Sequence, residues 1–114
     1  MEKIVEQSLL YDFYGELLTQ HQRRIYEDVV FNDYSLSEVA EDEGISRQGV
    51  HDLIKRCDKQ LKGYEEKLHL MGRFMQTKKD VELIKSYAKE LKENKNFELA
   101  DKICNISDRI LNEI

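Results

Sequence analysis

The sequence predicts an all-α bundle, and three observations predict it. Charged residues make up 36% of the 114-residue chain and proline is absent, so long helices meet no obligate break. Apolar residues recur at gaps of three and four through most of the chain, the period of a helix face rather than of a strand. Serine, threonine or asparagine heads most of these periodic runs, as helix N-termini require.

The elements follow in order. Residues 4 to 14, IVEQSLLYDFY, are apolar at Ile4, Val5, Leu9, Leu10, Phe13 and Tyr14, which predicts an amphipathic helix ended by Gly15. Thr19 followed by Gln22 is a capping box, opening a helix through Ile25, Tyr26, Val29, Val30 and Phe31 that Asn32 and Asp33 break. Ser35 and Glu38 form a second box, and the short helix behind them ends at Gly44, which tolerates the left-handed conformation. Ser46 caps a third segment, apolar at Val50, Leu53, Ile54, Cys57, Leu61, Tyr64, Leu68 and Met71. Unbroken, it is about 40 Å long at 1.5 Å per residue, with Gly63 the place where it can bend. So long a stripe outreaches a small three-helix core. Two later helices can cover it, one capped by Thr77 with Asp80 and carrying Val81, Ile84, Tyr87 and Leu91, the other capped by Asn96 and carrying Leu99, Ile103, Ile106 and Ile110. The alternative cover is a second copy of the chain. The expected division is residues 1–72, then 73–114 as a helical hairpin on the first domain or on a second subunit.

Composition bounds the function. The chain holds one modest core and no large catalytic cleft. Cys57 and Cys104 lack metal-ligand spacing, and His21, His51 and His69 lie at no i+3 or i+4 distance from one another or from a cysteine. No glycine loop for phosphate and no nucleophile with a partner motif is present, so neither an enzyme nor a cofactor is expected. No signal peptide or bilayer-length apolar run is seen, and a reduced, cytoplasmic protein without membrane contact is expected. The run LHLMGRFMQ, with Met71, Phe74 and Met75, is either an adaptable partner surface or an inter-helix corner.

Charge is unevenly placed. The formal net charge is -5, yet residues 1 to 46 hold 3 basic and 11 acidic residues, whereas residues 47 to 79 hold 9 basic and 4 acidic ones. Positive charge therefore begins with the third segment, and a locally positive surface is what phosphate contact requires.

That segment and the one before it, LSEVAEDEGISRQGVHDLIKR, have the form of a helix-turn-helix. Ala40 is the small residue where two helices cross, Gly44 the turn, and Val39, Ile45, Val50 and Leu53 the apolar backing. Glu43, before the turn glycine, departs from the apolar residue common there, and Gly49 costs about 1 kcal/mol against alanine in a helix. If the second helix enters a major groove, its exposed side chains are Ser46, Arg47, Gln48, His51, Asp52 and Lys55, with Arg56 and Lys59 placed for the backbone. Arg47 suits guanine and Gln48 adenine, each by paired hydrogen bonds; Asp52 either opposes phosphate or accepts from cytosine. A solvated polar helix face is the plain alternative.

The run LTQHQRRIYEDVVFNDYSLSEVAEDEGISRQGVHDLIKR resembles region 4 of bacterial sigma factors. More closely, the chain from LLYDFYGELLTQ to YEEKLHL, over residues 1 to 92, resembles the YlxM family. The resemblance implies an all-α, sigma region 4-like helix-turn-helix bundle without a wing. It also implies a regulatory nucleic-acid-binding protein linked, chiefly by gene neighbourhood, to the signal recognition particle pathway. Ser46, Arg47, Gln48, His51 and Lys55 match the exposed recognition positions. The expected partners are DNA, with RNA as a variant, and a component of the signal recognition particle; the alternative is an adaptor that docks on that component without reading DNA. A homodimer is expected, sharing the apolar faces of residues 60 to 114. The acidic balance predicts weak, salt-sensitive binding unless two copies act together.

Overall fold

A computed structural model describes residues 1–113 and, among them, only helices and turns. Helix α1 runs Lys3–Tyr14, followed by a 3-10 turn at Gly15–Leu17; α2 is Gln20–Tyr26 and passes into a π-helical turn at Glu27–Phe31. Then come α3 at Leu36–Glu43, α4 at Arg47–Leu68, α5 at Leu70–Asn94 and α6 at Phe97–Glu113. Both expected capping boxes are made: Thr19 Oγ1 accepts from the Gln22 amide at 3.1 Å, and Ser35 Oγ accepts from the Glu38 amide at 3.0 Å. The Ser46 hydroxyl accepts from the Gly49 amide at 2.9 Å, and Asn96 Oδ1 from the Glu98 amide at 3.0 Å. The chain divides into two compact units, Met1–Met71 and the remainder from Gly72.

The first unit is built on two apolar clusters that share α4. Leu10, Tyr14, Leu18, Tyr26, Cys57 and Leu61 form one, with Leu53, Ile54 and Tyr64 packed against it. Ile25, Val39, Ala40 and Val50 form the other, where α2, α3 and α4 meet. Ala40 admits the close crossing a larger side chain would block. Gly44, at φ +67°, turns the chain between α3 and α4; its amide bonds the Glu41 carbonyl at 3.4 Å and the Ile45 amide bonds the Ala40 carbonyl at 3.1 Å, satisfying two end carbonyls. Ile45 differs from expectation: it is 40% exposed at the turn, and Val39, Ala40, Val50 and Ile25 carry the packing without it.

The long apolar stripe is interrupted, and the break is not at Gly63. Helix α4 ends at Leu68, His69 takes a left-handed conformation at φ +57°, and α5 starts at Leu70. The corner is closed by buried Tyr14, whose hydroxyl donates to Glu65 and accepts from the Leu70 amide at 3.1 Å. Glu65 Oε1 accepts from the Met71 amide at 2.9 Å. Two amides at the start of α5 are thus satisfied by side chains of α1 and α4, which stabilises a break 55 residues from Tyr14 in sequence. Met71 packs against the first cluster, which makes it part of this corner.

In the second unit, Thr77 and Asp80 do not cap a helix, because α5 continues from Leu70 to Asn94 without a residue that would stop it. Asp80 is instead fully buried, accepting from Gln76 Nε2 at 3.1 Å and from Arg109 Nη2 at 2.7 Å. Helix α6 buries Leu99 and Ile106 on its predicted apolar face. Lys102 Nζ stands 5.6 Å from the Tyr87 ring centroid, a cation–π pair between α5 and α6.

Candidate nucleic-acid interface

The face of α4 away from the core is set by the buried positions. Val50, Cys57 and Leu61 point inward, so residues at 100° per step on the opposite side face solvent. Arg47, Gln48, Asp52, Lys55, Arg56 and Lys59 are all exposed and His51 is half-buried. Arg47, Lys55, Arg56 and Lys59 make no ion pair among the described residues, so their charge is uncompensated at close range. Leu36, Arg47, Gln48 and His51 line a shallow open depression beside the turn.

Two predicted contact groups are already engaged. Ser46 Oγ serves as the cap of α4. A Cβ at position 49 would lie 3.1 Å from that oxygen, so Gly49 keeps the cap undisturbed. Gln48 Nε2 donates to Asp52 Oδ1 at 3.0 Å and lies 3.5 Å from His51 Nδ1. The amide that suits adenine is therefore turned along its own helix, one turn on. Gln48 and Asp52 stand four apart on a helix, a spacing that predicts such a pair.

Glu43 resolves differently from what its sequence position implies. Its carboxylate receives Arg24 Nε at 3.0 Å and Arg24 Nη2 at 2.9 Å, and His21 Nε2 stands 3.4 Å away. The Arg24 hydrogen bonds hold the carboxyl below its ordinary 4.5 against the opposing effect of burial. A paired fork thus joins α2 to α3 where an apolar contact is usual. It also neutralises one of the three acidic residues beside the turn, leaving Glu41 and Asp42 exposed. Arg24 lies 19 residues from Glu43, and no local pattern announces the pairing.

The chemistry elsewhere is sparse. Burial pushes the Cys57 thiol up to about 11, away from a nucleophilic role. Among the described residues no group of three or more histidine, cysteine, aspartate or glutamate side chains is placed to hold a metal ion, and no helix is long and apolar enough to cross a membrane.

Comparison with known proteins agrees with this geometry. A family model described as "Putative helix-turn-helix protein, YlxM / p13 like" matches residues 1–105. A relative from Caldanaerobacter subterraneus is 53% identical over 78 residues, covering 68% of this chain and 67% of its own length. One from Clostridium botulinum is 46% identical over 102 residues, covering 90% and 89%, and one from Clostridium kluyveri is 42% identical over 105 residues, covering 92% and 95%. With the family model spanning residues 1–105, more than two thirds of the chain matched by each of these relatives, and α3, the Gly44 turn and α4 in place, the chain belongs to the UPF0122 family of YlxM / p13-like helix-turn-helix proteins.

Proposed function

We propose that this protein is a cytoplasmic nucleic-acid-binding regulator that presents the N-terminal half of α4 to the major groove of DNA. It acts by binding rather than by catalysis. The observation that carries the reading is the row of unpaired cations on α4, Arg47, Lys55, Arg56 and Lys59, on the exposed helix of a helix-turn-helix. Arg47 sits at the helix start, where base edges are reached; the others follow toward the phosphates. The test is titration of labelled duplex DNA at low salt. Arg47→Ala with Lys55→Ala is expected to weaken binding and flatten its salt dependence, and unaltered affinity and slope would refute the reading. A homodimer through residues 60–114 doubles the contact, in keeping with exposed Val81, Leu83, Phe97 and Leu111; a monomer at micromolar concentration in sedimentation removes that part.

One observation favours a second reading, an adaptor docking on a signal recognition particle component. Gln48 is held by Asp52, so the face is less suited to base readout than its residue types suggest. Pull-down with the particle's protein subunit, with and without its RNA, separates the two; no association under either condition counts against the adaptor.

A further inference from the structure

Glycine at position 63 has no explanation inside the chain. It lies within the 22-residue helix α4, where glycine is the least favoured residue after proline. A Cβ built there meets nothing within 4 Å, and the backbone has no positive φ that would demand glycine. Gly44 and Gly49 are accounted for by a left-handed turn and by the Ser46 cap; Gly63 is not. Its missing side chain leaves bare the floor of a groove lined by Lys55, Asp58, Lys59, Lys62 and Glu66.

We infer that this groove seats the sugar–phosphate backbone of duplex DNA, with Lys55, Lys59 and Lys62 on phosphates and Gly63 admitting the strand close to the helix. The inference rests on the reading above and extends it along α4. A major groove about 12 Å wide is crossed by about eight helical residues at 1.5 Å each, the interval from Arg47 to Lys55. Lys59 and Lys62 lie about 6 and 10 Å farther along the axis, where the helix passes the phosphate wall. Two acidic neighbours are restrained. Asp58 accepts from Tyr26 Oη at 2.6 Å and from Gln7 Nε2 at 3.1 and 3.2 Å, which holds its carboxylate toward α1 and α2. Glu6 approaches Lys62 only at 3.9 Å between exposed side chains, a pair that phosphate displaces easily. Glu66 also lines the groove, one helical turn beyond Lys62.

The experiment titrates labelled duplex DNA over a range of salt with full-length protein and three variants: Lys59→Gln with Lys62→Gln, Gly63→Gln, and Arg47→Ala with Lys55→Ala. The lysine pair is expected to lose about two units of the log–log salt slope and about tenfold in affinity at low salt. Gly63→Gln is expected to raise the melting temperature by about 2–4 °C, through helix propensity, yet bind about tenfold more weakly. The track is overturned if the lysine pair keeps the wild-type slope, if Gly63→Gln binds like wild type, or if the losses occur on duplex RNA and not on DNA. In those cases weakening by the Arg47 and Lys55 changes leaves the helix-turn-helix reading standing. If the wild type binds no duplex at low salt, both fall.

Discussion

Asp52 is the acidic residue in the middle of a cationic helix face, and its replacement gives a quantitative prediction. Its side chain is 52% exposed and holds Gln48 Nε2 at 3.0 Å. Asp52→Asn keeps an acceptor for that amide and removes only the charge. A phosphate about 7 Å from the carboxylate is repelled by about 0.6 kcal/mol at the dielectric of water, and by about 1.2 kcal/mol at half that value. Relief of one such repulsion tightens binding about three- to eightfold. The assay is fluorescence anisotropy with a short duplex at about 50 mM salt, repeated at about 500 mM, where screening erases the gain. Asp52→Ala also releases the Gln48 amide, so a preference for adenine is expected there and not in Asp52→Asn. If Asp52→Asn binds no more tightly than wild type at low salt, the face does not meet phosphate.

Three further predictions concern the scaffold. The Glu43 carboxyl titrates below its unfolded value, so its stabilisation is complete above about pH 4.5 and is lost as pH falls through the lower folded value. Glu43→Gln is therefore expected to melt below wild type at neutral pH, with the gap narrowing as pH falls below about 4.5, as circular dichroism melts across that range will show. Tyr14→Phe removes the hydroxyl that closes the α4–α5 corner and is expected to cost about 2 kcal/mol in urea unfolding; a loss under about 0.5 kcal/mol means water replaces the hydroxyl. Leu61→Ala, at a fully buried position of the first cluster, is expected to cost about 3 kcal/mol by the same measurement, and a near-zero cost contradicts the packing.

What could be read from the sequence followed the range of the interaction. Caps act over three residues, and Thr19 with Gln22, Ser35 with Glu38, Ser46 and Asn96 all form as their spacing predicts. The Gly44 turn was equally legible, because one residue's φ decides it. The break at His69 was not, because it depends on Tyr14 supplying an acceptor to Leu70 from 56 residues away. The same applies to Asp80: a Thr77–Asp80 spacing resembles a cap, but Arg109, 29 residues on, claims the carboxylate. On α4 the outward face was predictable from period alone, except that His51 is half-buried, whereas what its residues do was not. Gln48 binds Asp52, Ser46 caps the helix, and the opposing Glu43 is paired to Arg24.

The formal charge of -5 and the cationic face make separable predictions, because affinity and salt slope report different things. Affinity includes repulsion from every acidic side chain on the approaching surface. The slope counts only phosphates whose counterions are displaced by contact. If Lys55, Arg56, Lys59 and Lys62 each meet one phosphate, the slope is about -3.6, and raising salt from 50 to 200 mM weakens binding about 150-fold. The acidic residues of α1 to α3 lower the affinity at every salt concentration without flattening that line by the same proportion. Weak binding with a steep slope is therefore the expected signature, measurable in one titration series. Weak binding with a slope near zero would mean that the cations of α4 do not touch phosphate, and the adaptor reading would take precedence.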